Sequence, residues 1–205
     1  MRLPGIAVCL FALTLSAAGA PVVPAARTAN APSEPSVRMA LPRQLSGETL
    51  PPFTAKCDDG EQLFQKRHLE KMIAQDPKIT RVVLAYFATW CMPCALGAGK
   101  LRAGREALKK NGVLTIFVNV GETDVAAVRK WIKDYGDLEI PLIMDTKSQM
   151  VGPYGLLEAN GRVVMPRTLV LNRKLKPLFL LGTEGDDFPE ILWKLNVEQH
   201  ESEKK

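Results

Sequence analysis

The feature that most constrains this chain is a buried-strand profile that runs directly into a cysteine pair and then a helix. Arg81 to Phe87 is a β-branched and aromatic run, the pattern of a strand covered on both faces. Trp90-Cys91-Met92-Pro93-Cys94 follows. Cys94 to Lys110 then has helical spacing, although Gly97, Gly99 and Gly104 each cost that helix about 1 kcal/mol relative to alanine. Leu114 to Val120 reads as a second buried strand. Thr123 to Tyr135 reads as a helix with Val125, Val128, Ile132 and Tyr135 on one stripe and Thr123 as its N-cap. Upstream, Phe53-Thr54-Ala55 and Gln62-Leu63-Phe64 flank Asp58-Asp59-Gly60, a hairpin signal, and Gln65 to Gln75 is helical up to Asp76-Pro77. Downstream, Pro141 to Met144 and Thr168 to Leu171 are short strands, Lys176 to Leu181 returns as a hairpin partner, and Phe188 to Leu195 closes as a helix. The order is hairpin, then β-α-β-α, then β-β-α. It calls for an α/β fold with a mixed central sheet flanked by helices.

Two cysteines three apart at a strand–helix junction can close a small disulfide ring, and the junction makes them unequal. Cys91 falls at the helix N-terminus, where unpaired N–H groups and the helix dipole favour a thiolate. Cys94, one turn in, is expected to be covered and poorly nucleophilic. Cys91 therefore attacks or is attacked, and Cys94 resolves the mixed disulfide. Pro93 suits the first helical turn, where its missing N–H is no loss. The bland alternatives are half a zinc site or two small buried hydrophobes. Zinc needs two further ligands, and the two histidines, His68 and His200, are far apart without zinc-type spacing. No metal and no cofactor are expected.

Composition sets the limits around this core. The chain has 205 residues, 46% of them hydrophobic and 24% charged, which excludes collagen-like and low-complexity classes. Four cysteines are too few for a disulfide-built scaffold. The net charge of +5 is scattered and aromatics are only 6%, so no nucleic-acid partner is expected. Residues 1–26 have a signal-peptide layout: Arg2, an apolar run from Ile6 to Leu15, then small residues Ser16 to Ala20. Cleavage near Ala25 or Ala26 is one outcome, and a retained N-terminal anchor is the other. Removing the segment drops Cys9 and leaves Cys57, Cys91 and Cys94. Residues 27–50, rich in Pro and Ala, read as a flexible linker. Residues 51–197 form the folded domain, and residues 198–205 a charged tail. A monomer is expected.

The strings FATWCMPC, VNVGE, IPLIMD and MPRTLVL resemble the TlpA/ResA-type thioredoxin-like thiol–disulfide oxidoreductases, over roughly Phe53 to Leu195. The resemblance implies a thioredoxin-like fold with an N-terminal hairpin and a central βα insertion. It also implies Cys91 as the attacking thiol, Cys94 as the resolving thiol, and a cis proline opposite them. Pro166 matches that position better than Pro153, because a strand follows it directly. A cis bond there sets the Met165 backbone to pair with a substrate strand and keeps metal off the sulfurs. Trp90, Pro93, Met165 and Pro166 are the expected substrate contacts. The implied activity is disulfide exchange with protein substrates outside the cytoplasm, with a reductase favoured over an oxidase. A reductase there must be recharged by a membrane thiol–disulfide electron donor.

The chain also departs from that family. Acidic residues read as proton acceptors for the resolving thiol are replaced by Ala85 and Gly97, which makes Glu122 the next candidate base. Arg167 stands where the family usually has Thr. The alternative function is a non-catalytic binding module for a metal or a partner protein. Copper-binding relatives need a third ligand and wider cysteine spacing, and this chain has neither. A peroxidase reading lacks the Thr or Ser and the Pro that precede a peroxidatic cysteine. Cys57 reads as a tolerated lone cysteine, with a third redox thiol or a dimer link as the alternatives. His68 reads as a solvated surface residue. Arg102, Arg105 and Lys109 share one side of a helix, either a wet face or a docking face for an acidic partner.

Overall fold

The structure, a computed structural model, describes residues 43–44, 49–151, 156 and 163–182. The signal-like segment 1–26, Pro153, the expected helix Phe188 to Leu195 and the tail 198–205 lie outside the described residues.

In chain order the elements are β1 (Arg43–Gln44), β2 (Thr54–Cys57), β3 (Leu63–Gln65), α1 (Lys66–Gln75), β4 (Arg81–Phe87), α2 (Met92–Lys110), β5 (Val113–Val120), α3 (Val125–Tyr135), β6 (Leu142–Asp145), β7 (Arg167–Asn172) and β8 (Pro177–Leu181). The strands form one eight-stranded sheet in the order β1-β8-β7-β4-β5-β6-β2-β3. β4, β5 and β6 run parallel, while β7, β8 and the β2–β3 hairpin pair antiparallel. The mixed sheet and the hairpin are those expected from the sequence. α3 and β6 form the central insertion, and β6 joins the parallel set to the hairpin through Cys57 opposite Ile143.

β4 is buried along its whole length, and its alternation divides the core. Val82, Leu84 and Tyr86 pack with Leu69 and Ile73 of α1, while Val83, Ala85 and Phe87 pack with α2 and α3. A strand between two covered faces needs apolar side chains on both, which is why the run is continuous. The three glycines of α2 cost roughly 3 kcal/mol in propensity. Burial of Leu101 and Leu108 returns about 1.5–3 kcal/mol for each. Packing therefore decides that α2 forms. It ends in a turn at Gly112, with φ of +73°, where a Cβ would come within 2.2 Å of the Lys78 carbonyl oxygen.

Three local expectations are corrected. The N-cap of α3 is Asp124, not Thr123, because the Asp124 carboxylate accepts from Ala127 N–H at 3.0 Å. On α3 the inward stripe includes Trp131, which stacks on Phe87 at 4.4 Å, while Tyr135 is exposed. Ordered structure also reaches back into the 27–50 stretch. Arg43–Gln44 pairs with β8, and Leu50 is buried with its N–H donating to Leu175.

Candidate active site

The β4–α2 junction assembles the cysteine pair. Cys91 N–H donates to the Ala88 carbonyl at 3.0 Å, closing a turn that delivers Cys91 as the N-cap of α2. Met92 and Pro93 open the helix, so the proline occupies the turn where no donor is lost. Cys91 and Cys94 are joined by a disulfide with Cα atoms 5.3 Å apart. Cys94 N–H is shared between the Cys91 carbonyl at 3.1 Å and Cys91 Sγ at 3.2 Å, so a backbone donor of the first helical turn also faces the first sulfur. That contact and the helix dipole favour negative charge on Cys91 when the bond opens.

Cys94 is covered as expected, at 3% exposed, but burial does not set it apart from Cys91 at 4%. They differ in position on the helix instead. Around them three large apolar side chains are exposed: Trp90 at 67%, Met92 at 69% and Leu96 at 70%. The sequence singled out Trp90 but not Met92 or Leu96. The Met165–Pro166 peptide bond is cis, at the entry to β7. Met165 packs against both hydrophobic clusters, one of which contains the two cysteines.

Ala85 and Gly97 are both buried on the cysteine side of the sheet and supply no carboxylate there. Glu122, at the end of β5, reaches the redox turn. Its carboxylate accepts from Thr89 N–H at 2.8 Å, from the Thr89 hydroxyl and from the Asn119 side-chain amide. Thr89 and Asn119 were missed in the sequence. The available signal was a polar Asn set between apolar neighbours in a buried strand.

The remaining candidates fall elsewhere. His68 is half-buried and accepts the Gln65 N–H at 2.9 Å, so it caps α1 rather than standing in solvent. Arg105 is bound within the chain by Asp137, Glu139 and Glu106, and Arg102 donates to the Gly136 carbonyl. That face already has its carboxylates. Arg105 and Lys109 line a cavity of about 240 Å³ near the start of β5, away from the cysteine pair. Cys57 is buried in β2, which gives it no surface for a dimer link. Arg167 donates to the Pro166 carbonyl at 2.9 Å.

A model of the AhpC/TSA family matches residues 46–176. The chain is 30% identical over 103 residues to the thiol-disulfide oxidoreductase ResA of Bacillus thuringiensis, an alignment covering 46% of this chain and 58% of that protein. Among solved structures, a thioredoxin family thiol:disulfide interchange protein from Chlorobium tepidum superposes with a TM-score of 0.56 at 18% identity, covering 75% of this chain and 99% of that one. Peroxidoxin BcpB of Mycobacterium tuberculosis gives a TM-score of 0.58 at 17% identity, covering 76% and 98%. At these identities the two structures share the fold.

Proposed function

This chain belongs to the AhpC/TSA family and has a thioredoxin-like fold, and we propose that it is a thiol–disulfide oxidoreductase acting on protein substrates. The observation that carries the reading is the Cys91–Cys94 disulfide at the head of α2, with the Cys94 N–H aimed at Cys91 Sγ. Cys91 is the attacking thiol and Cys94 the resolving thiol. In the reductive direction the Cys91 thiolate attacks one sulfur of a substrate disulfide. A Cys91–substrate bond forms, and the other substrate sulfur leaves with the electron pair and takes a proton. Cys94 then loses its proton and attacks Cys91 Sγ. The Cys91–Cys94 bond re-forms and the second substrate sulfur departs as a thiol. The substrate gains two electrons and two protons, and the chain's dithiol loses them.

Trp90, Pro93, Met165 and Pro166 form the substrate contact, extended by the exposed Met92 and Leu96. The backbone of Met165 is the segment we propose to pair with an extended substrate. Reduction is the direction we propose, in an oxidising compartment outside the cytoplasm, with electrons supplied by a membrane thiol–disulfide donor. The signal-like layout of residues 1–26 supports that compartment.

A Cys94→Ser variant expressed in the native compartment tests the whole reading. It is expected to accumulate mixed disulfides at Cys91 with partner proteins, seen as reducible high-mass bands and identified by mass spectrometry. Absence of such adducts, with the wild-type pair staying free under mild oxidant, would overturn the assignment.

A further inference from the structure

The carboxylate of Glu122 is engaged by three donors, and two of them belong to one residue of the redox turn. Thr89 offers both its backbone N–H and its hydroxyl, and Asn119 offers its side-chain amide. Asn119 is completely buried and lies in parallel register with Phe87, so its side chain projects on the α2 side of the sheet. Its other amide atom, Oδ1, meets no hydrogen-bond partner among the described residues. A buried amide satisfied on one side only is costly, so holding Glu122 gives Asn119 a reason to be there. Three donors from two segments fix the Glu122 carboxylate between the redox turn and β5, the arrangement of a clamp.

Thr89 stands two residues before Cys91, inside the segment that the Cys91–Ala88 hydrogen bond closes. While the disulfide is intact, that bond itself keeps Cys91 at the head of α2. Once it opens, the turn keeps its own hydrogen bonds from Cys91 N–H to Ala88 and from Cys94 N–H to the Cys91 carbonyl, and a tie to β5 adds to them in holding Cys91 Sγ over the Cys94 N–H. We propose that Glu122 is a positioning residue that pins the redox turn to β5 in the dithiol state, so that the Cys91 thiolate keeps the stabilisation of the α2 N-terminus. The proposal rests on the redox reading above. Its physical signature is selective: the clamp stabilises the reduced form more than the oxidised one, which has a covalent restraint of its own.

The test is the thiol–disulfide equilibrium of the full chain in glutathione buffers, read by alkylation and mass spectrometry. Glu122→Ala is expected to move it about tenfold toward the disulfide, about 30 mV more negative. Glu122→Gln keeps an oxygen for the Thr89 N–H and is expected to stay within about threefold of wild type. Thr89→Val removes one donor of the clamp and should shift the equilibrium about threefold in the same direction as Glu122→Ala. Loss of the negative charge alone would favour the thiolate and move the equilibrium toward the dithiol, so the sign separates a clamp from a field effect. No shift in Glu122→Ala and Thr89→Val, or a shift toward the dithiol in either, overturns the clamp. If Glu122→Ala does not fold, an unmoved Thr89→Val equilibrium overturns it. A wild-type chain with no reversible disulfide would instead overturn the redox reading and the clamp with it.

Discussion

The two faces of the central sheet share the same strands yet are packed for different ends. On the α1 face, Leu69 and Ile73 share a layer with Leu84, Tyr86, Ile116 and Leu169, large side chains among which the Tyr86 hydroxyl donates to the Met150 carbonyl. On the α2 face, the start of the helix lies over small residues: Ala85 below, with Ala95, Gly97 and Ala98 on the helix itself. Bulk returns further along, where Phe87 stacks on Trp131 and meets Phe117 edge-on at 5.9 Å. Small side chains let the helix start approach the sheet, which places both sulfurs under cover while leaving Trp90 and Met92 outside. One face therefore carries packing energy, and the other divides its residues between packing and the placement of a reactive bond.

The sharpest way to break this comparison is to damage the packing face alone. Leu69→Ala removes a fully buried side chain from the α1 layer and is expected to cost about 2–5 kcal/mol. The loss should be equal in the oxidised and reduced chains, measured by denaturant unfolding of each, and the glutathione equilibrium should not move. Unequal losses would show that the two faces are coupled through β4.

A smaller effect concerns the edge where β6 ends. Burial pushes the Asp145 carboxyl above its ordinary value of 3.8, and the N–H groups of Met150 and Gln149, which donate to it at 2.7 and 2.8 Å, pull it back only in part. The folded chain then holds this proton more tightly than the unfolded chain does. Its contribution to stability is fully present below the unfolded value and is lost as pH rises through the folded one. Denaturant midpoints should accordingly fall across that window, and Asp145→Asn should flatten the fall. The substitution also leaves one N–H without an acceptor, at a cost of about 1–3 kcal/mol. A pH dependence untouched by Asp145→Asn would assign the effect to another carboxylate.

The smallest stability effect is expected at the redox face. Trp90→Ala should change stability by no more than about 0.5 kcal/mol, because its side chain stands in solvent. Insulin reduction by the same variant should nevertheless slow several-fold. A large drop in the unfolding midpoint would make Trp90 a packing residue and blur the division between the faces.

What the sequence by itself determined here is local. The continuous apolar run predicts β4 from Arg81 to Phe87, the same residues that form the strand. The Asp-Asp-Gly signal predicts the β2–β3 hairpin, and the spacing of Cys91, Pro93 and Cys94 predicts a pair at a helix start. Each depends on residues a few positions apart, where periodicity, turn chemistry and propensity are decided. The cis bond at Pro166 came from family resemblance, not from spacing. The tertiary structure decided what depends on distant partners. Thr89 and Glu122 are 33 positions apart, Arg105 and Asp137 32, and Arg173 reaches the Ile73 carbonyl across 100. No periodicity can announce such pairs, because they exist only after β4 and β5 align, α2 packs beside α3 and the β7–β8 turn meets the end of α1. The same is true of Leu50, whose proline-rich surroundings read as a tether until the β7–β8 turn gives it a core and a carbonyl to bind.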